Sequence, residues 1–148
     1  EILIGLVGSE MCIRDSIGTY IKRRGNLEFI EERSKVSDVV ELEACIEESF
    51  SSLRLLDIDC ACSFPEGEKI YVRDAVVMYQ FFENVVEKCV DSCASVWIKL
   101  RSQSEDVLFC MEIESETDLA CFSEMAQYCT CEDGIWRFVF TVEKAGES

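Results

Sequence analysis

The sequence predicts an α/β sandwich: a mixed, mostly antiparallel sheet covered on one face by helices and preceded by a further helix. Two observations support this fold class. Apolar residues recur at helical spacing in two long segments, about 38–56 and 74–93. Around these segments, apolar and polar residues alternate in runs bounded by turn residues, which is typical of half-buried strands.

Residues 1–16 show neither helical nor strand periodicity, and they lack the basic and small-residue pattern of a signal peptide. Back-translation of Val7–Asp15 to GTG GGC TCG GAG ATG TGT ATA AGA GAC resembles the transposase end of a sequencing adapter. One reading frame extends that match upstream to Glu1. We therefore expect 1–16 to be a non-native, adapter-derived segment and the native sequence to begin, truncated, at Ile17. The alternative is a true N-terminal strand.

The first half of the remaining chain predicts two helices and a short pair of strands. Apolar residues in 17–35 indicate an amphipathic helix, and Asp38 followed by Glu41 predicts a capping box that opens the helix over 38–56. A half-buried strand is expected over 58–64, where Cys60 and Cys62 share one face with apolar neighbours. Pro65-Glu66-Gly67 then forms a turn, and Ile70 and Val72 mark a return strand.

The second half predicts a long helix followed by antiparallel strands. Asp74 is expected to cap a helix that ends near Cys93. Alternation over 96–100 and 107–113 predicts a hairpin. A weaker helix is expected over 119–129, Glu132-Asp133-Gly134 forms a turn, and the last strand has four inward side chains: Trp136, Phe138, Phe140 and Val142.

Charge and cysteine usage narrow the classes of partner. The chain has 14 basic and 30 acidic residues, a net charge of −16, which disfavours nucleic acid and anionic membrane surfaces. No apolar run is long enough to cross a bilayer. The chain has ten cysteines and no histidine. The Cys-x-Cys pairs at 60–62 and 129–131 leave a metal site as an alternative. We predict mostly buried, reduced cysteines and no metal.

The order of elements resembles the ATP-binding domain of sensor histidine kinases, the GHKL or Bergerat fold. The stretch YQFFENVVEKCVDSCASVWIKL resembles the N box of that family, and VSDVVELEACIEESFSSL resembles its opening helix. The resemblance implies that 17–35 is the tail of a dimerisation helix and that 36–148 is the ATPase-like domain. It also implies a cytoplasmic location, a homodimer formed through the upstream helix, and a response regulator as partner.

Departures from the family pattern affect the nucleotide site. Asn84 keeps the first N-box asparagine, but Lys88 stands where the resemblance implies a Mg²⁺ ligand, and an ammonium has no lone pair to offer. Ser115-Glu116-Thr117-Asp118 replaces the glycine-containing D-x-G-x-G box. The resemblance implies four vestigial nucleotide-site residues, Asn84, Glu87, Lys88 and Asp118. It implies no catalytic residue in this chain.

Two functions follow from these departures. The first is a degenerate histidine-kinase-like module that needs no cofactor and acts by dimerisation or docking. The alternative is an active sensor histidine kinase that uses ATP and Mg²⁺ in a divergent pocket, with Lys88 neutralising the phosphates. An unrelated α/β binding domain is a third class. The polar residues on the 74–93 helix also fit a simple solvated face, and Trp97 and Trp136 fit packing roles.

Overall fold

The structure is a computed structural model that describes residues 36–145. The adapter-derived segment expected at 1–16 and the helix expected at 17–35 lie outside the described residues. The described elements, in chain order, are β1 (Val36–Asp38), α1 (Val39–Arg54), β2 (Asp59–Ser63), β3 (Lys69–Tyr71), α2 (Val72–Cys89), β4 (Cys93–Ser102), β5 (Asp106–Ser115), β6 (Tyr128–Glu132) and β7 (Ile135–Glu143).

The main sheet has five strands in the order β2-β4-β5-β7-β6. The β2–β4 pair is parallel, whereas the other three pairs are antiparallel. Helices α1 and α2 cover one face, where the inward side chains of β4, β5 and β7 form the core together with the apolar helix residues. The predicted fold class is therefore confirmed, and the hairpin expected over 96–113 is the β4–β5 pair.

Helix α1 begins as the sequence predicts, but its capping differs from the expected box. Asp38 Oδ1 accepts a hydrogen bond from the Val40 amide at 3.0 Å, as an N-cap residue should. Glu41 Oε1 accepts from the Ser37 hydroxyl at 3.2 Å. Glu41 thus pairs with Ser37, the residue before the N-cap, whereas a capping box would pair it with the Asp38 amide.

The short strand β3 corrects the expected return strand. It pairs antiparallel with β1 in a separate two-stranded sheet, not with β2. The Val39 amide donates to the Glu68 carbonyl at 3.0 Å, and Lys69 forms an ion pair with Asp38 at 3.6 Å, so the chain is held beside the start of α1. Val72, expected in the strand, is instead the first residue of α2.

Asp74 does not cap α2. The N-cap residue is Tyr71, which makes no side-chain capping bond, and Asp74 lies in the first turn. Burial raises the pKa of the Asp74 carboxyl, with a further rise from Glu143 and an opposing effect from Arg73. A carboxylate in the first turn still favours the helix, because it lies near the positive end of the helix dipole.

The helix expected over 119–129 is wrong. Only a single 3₁₀ turn forms, at Ala120–Phe122, and the chain then enters strand β6. Asp133 and Gly134 both have positive φ, 56° and 79°, which is the geometry of a tight hairpin turn and pairs β6 with β7. The hairpin uses the alternation of the Tyr128–Glu132 segment, so the residues from Tyr128 onward pair with β7 instead of extending a helix.

The cysteines occupy three environments. Cys45, Cys89 and Cys110 are buried, as predicted. Four more are half-buried, and Cys121 and Cys131 are exposed. The prediction that the cysteines are mostly buried is therefore wrong. All nine cysteines of 36–145 are free thiols. Within the same residues, no group of three or more acidic or cysteine side chains is placed to hold a metal ion.

Candidate functional site

The predicted residues of α2 lie on the outward side of the helix. The inward side packs on the sheet through its apolar residues, and Asn84, Glu87 and Lys88 are exposed to solvent. Within 36–145, none of these three side chains makes a hydrogen bond or an ion pair. Lys88 lies in the last turn of α2, where a cation interacts favourably with the negative end of the helix dipole.

Asp118 has a local structural partner. Its Oδ1 atom accepts a hydrogen bond from the Ala120 amide at 2.9 Å and so starts the 3₁₀ turn that follows β5. Glu116 and Asp118 are both exposed. No hydrogen bond or ion pair between described residues joins Asp118 to the three predicted residues on α2. The four predicted site residues therefore form no connected cluster within 36–145.

The segment 116–127, which joins β5 to β6, packs directly against α2. Leu119 is fully buried and Phe122 is only 8% exposed. The Phe122 ring meets the Phe81 ring edge-on, with centroids 5.9 Å apart. Phe81 in turn contacts Phe138 and Phe140 of β7 at 5.2 and 4.7 Å. Aromatic contacts thus join segment 116–127 to α2, the two elements between which the family resemblance implies a nucleotide cleft.

A hydroxyl network anchors the start of this segment, and the sequence analysis did not predict it. The Ser92 hydroxyl is 2.7 Å from the Ser115 hydroxyl and 2.8 Å from that of Thr117. The Thr117 amide also donates to the Ser115 hydroxyl at 3.0 Å. These contacts join the 3₁₀ turn Val90–Ser92 that follows α2, the end of β5 and segment 116–127. The only signal in the sequence is the clustering of Ser and Thr next to element ends.

Two thiols border the hydroxyl network. A hydrogen bond with Cys93 lowers the pKa of Cys89, and the same bond, together with burial, raises the pKa of Cys93. The Ser115 hydroxyl also lowers the pKa of Cys89. The chain contains no histidine, and neither the hydroxyl network nor the two thiols include a carboxylate. Without a neighbouring base the hydroxyls are not activated as nucleophiles, so this network holds elements together.

No protein-family model matches the sequence, and no curated protein matches it. Solved structures do match the fold. The nucleotide-free catalytic domain of histidine kinase ThkA is 12% identical with a TM-score of 0.58, covering 76% of this chain and 98% of that domain. The chain has the fold of a histidine kinase catalytic domain. The Bergerat-like fold expected from the order of elements is thereby confirmed.

Two further structures share this catalytic-domain fold. The mycobacterial sensor histidine kinase MprB is 8% identical with a TM-score of 0.53, covering 76% of this chain and 99% of that one. ThkA in complex with the response regulator TrrA is 14% identical with a TM-score of 0.53. That match covers 88% of this chain and 48% of the ThkA chain. At these identities the similarity establishes the fold.

Proposed function

We propose that this chain is a signal-transduction module with a histidine kinase catalytic-domain fold that has lost nucleotide binding. It acts by dimerisation or docking, without a cofactor and without a catalytic residue of its own. The observation that carries this proposal is the packing of Phe122 against Phe81 at 5.9 Å, which closes segment 116–127 on α2. Because an apolar contact occupies the junction of the two walls, a nucleotide would have to displace it.

The chemistry of the walls supports the same proposal. Segment 116–127 contains no glycine, so no position within it favours the close backbone approach that a nucleotide needs. The charged residues available are Glu116 and Asp118 on one wall and Glu87 and Lys88 on the other, all exposed. One exposed ammonium contributes about 0–1 kcal/mol per ion pair. Even millimolar affinity requires about 4 kcal/mol.

Helix polarity gives Lys88 an alternative role. The resemblance puts Lys88 where a Mg²⁺ ligand is required, but an ammonium donates hydrogen bonds only. Its place in the last turn of α2 favours the helix through the dipole, so its presence there needs no ligand to explain it. Asn84 and Glu87 likewise fit a solvated helix face.

The partners proposed follow from the fold. ThkA is a protein of this fold whose structure includes a response regulator, and we propose a response regulator as the partner of this chain. We propose that the upstream helix at 17–35 forms a homodimer and that the domain lies in the cytoplasm. Neither helix within 36–145 is long and apolar enough to cross a membrane. The net charge of −16 supports the absence of a nucleic-acid partner.

Isothermal titration of the full chain with Mg-ATP tests this proposal. We expect no heat of binding below about millimolar ATP, the concentration that corresponds to roughly 4 kcal/mol. Lys88→Ala and Asn84→Ala are the test variants, and Arg73→Ala is the control because Arg73 is an exposed cation at the other end of α2. A micromolar dissociation constant that either test variant abolishes, while the control retains it, would refute the proposal in favour of the active kinase.

A further inference from the structure

A groove of about 510 Å³ lies on the face of the main sheet opposite the helices. Side chains on a strand alternate between its two faces, so the residues of β4 that flank the buried Ile98 point away from the core. The side chains that matter for the groove are Trp97, Lys99 and Arg101 of β4, Leu108 and Cys110 of β5, and Arg137 of β7. Strand register places Trp97 opposite Glu112, and Lys99 opposite Cys110.

The floor of the groove is apolar. Trp97 is 48% exposed although it lies in the middle of a ten-residue strand. On the neighbouring strand, Cys110 lies opposite Lys99 and Leu108 lies opposite Arg101, and both line the same groove. The uncovered face of an antiparallel sheet is ordinarily polar. Tryptophan and arginine side chains line this groove, and these two residue types are enriched among those that dominate the binding energy of protein interfaces. This face therefore has the composition of a contact surface.

The charge on the groove differs from that of the molecule. Three of the 14 basic side chains line it, although the chain has a net charge of −16. Arg137 is neutralised by Glu112 at 3.5 Å, and its Nε donates to the Cys110 sulfur at 3.3 Å. Lys99 and Arg101 form no ion pair with any residue in 36–145. One end of the groove is therefore cationic, and the Glu112 end continues into a concavity lined by Glu132 and Asp133.

We propose that this groove docks an acidic amphipathic helix of a partner protein, with its apolar side on Trp97 and Leu108 and its carboxylates on Lys99 and Arg101. An open groove cannot enclose most of a small ligand, which small-molecule sites do. Neither helix of 36–145 lies on this face of the sheet. A helix laid there would give the sheet helices on both sides, a stable layered arrangement. The homodimer proposed above forms through the upstream helix, so a partner protein and not a second copy is the occupant proposed for this groove.

The experiment uses a fluorescein-labelled helical peptide of about three heptads of Leu-Glu-Glu-Leu-Leu-Glu-Glu and the full chain. Fluorescence anisotropy should give a dissociation constant of about 10–100 μM. The Lys99→Glu/Arg101→Glu double variant should raise that constant more than about tenfold, and Trp97→Ala about fivefold. The matched control is Arg73→Glu/Lys88→Glu, which changes the net charge equally on α2 and should leave the constant within about twofold.

Three outcomes would overturn the proposal. One is an acidic peptide that shows no binding at about millimolar concentration. Another is an equal rise of the dissociation constant in the α2 control variant, since that would show that binding depends only on the overall charge of the chain. The third is equal binding of poly-glutamate, which lacks the apolar face. Circular dichroism melts of each variant confirm folding, and Trp97, Lys99 and Arg101 are exposed enough for substitution without loss of the core. The groove and the nucleotide cleft lie on opposite faces of the sheet, so either proposal can fail while the other stands.

Discussion

Phe122→Ala measures how firmly segment 116–127 is held on α2. The Phe122 side chain is 8% exposed and makes one edge-on contact with Phe81. Burial of a phenylalanine contributes about 1.5–3 kcal/mol, and one such aromatic pair contributes about 0.5–1.5 kcal/mol. The variant should therefore lose about 3 kcal/mol of unfolding free energy, at the lower end of the range for phenylalanine truncation in cores. At about 3 °C per kcal/mol, the melting temperature should fall by roughly 9 °C.

Urea unfolding followed by circular dichroism measures this loss. Met125→Ala is the matched control, because Met125 lies in the same segment but is 57% exposed. The control should change the unfolding free energy by less than about 0.5 kcal/mol. Hydrogen exchange should show faster exchange of amides in 116–127 in the Phe122 variant than in the control. A loss below about 1 kcal/mol, or an equal loss in the control, would show that Phe122 does not hold the segment.

Three further changes probe the core, the pH dependence and a turn. The hydroxyls of Ser49 and Tyr79 lie 2.8 Å apart in the core. In urea unfolding, a double-mutant cycle with Ser49→Ala and Tyr79→Phe should give a coupling free energy of about 1 kcal/mol. Additive losses of unfolding free energy would contradict this. Burial and the hydrogen bond to Glu47 raise the pKa of Cys62 from 9.0 to about 12. As pH rises from 9.0 to about 12, the thiol loses its proton in the unfolded chain before it does so in the folded protein, so the unfolding free energy should fall across this range. The fall should be less steep in Cys62→Ser, and an equal dependence on pH in the two proteins would refute this. Gly134 has a φ of 79°, so Gly134→Ala should cost about 1–2 kcal/mol in the same assay, and a neutral result would contradict the strain argument.

Local patterns predicted the elements whose residues carry their own periodicity. Helix α1 and strand β7 follow from the spacing of apolar residues, because each element buries one face against the same core. The β4–β5 hairpin was also predictable, since its two strands are adjacent in sequence and joined by a short polar turn. In each case the signal lies within the element or next to it.

The errors arose where a distant partner sets the structure. The alternation in Tyr128–Glu132 supports a strand only because β7 lies alongside it, and the same residues with 119–127 also fit a weak helix. Strand β3 fits pairing with β2 equally well by sequence, but the contacts at Val39 and Lys69 place it beside β1. Asp74 has capping chemistry, yet the N-cap is Tyr71, three residues earlier, and Val72 packs into the core as the first residue of the helix.

The sequence by itself determined the fold class, the acidic surface and the residue types available at the cleft, because composition and periodicity are local properties. It also predicted Asn84, Glu87, Lys88 and Asp118 as vestigial nucleotide-site residues, and this stays a prediction. Only the tertiary structure decided how segment 116–127 packs against α2. The contact between Phe122 and Phe81 joins residues that are distant in sequence, and neither residue differs locally from an ordinary core phenylalanine. The groove around Trp97 likewise depends on strand order, since its lining comes from four strands that only the sheet brings together.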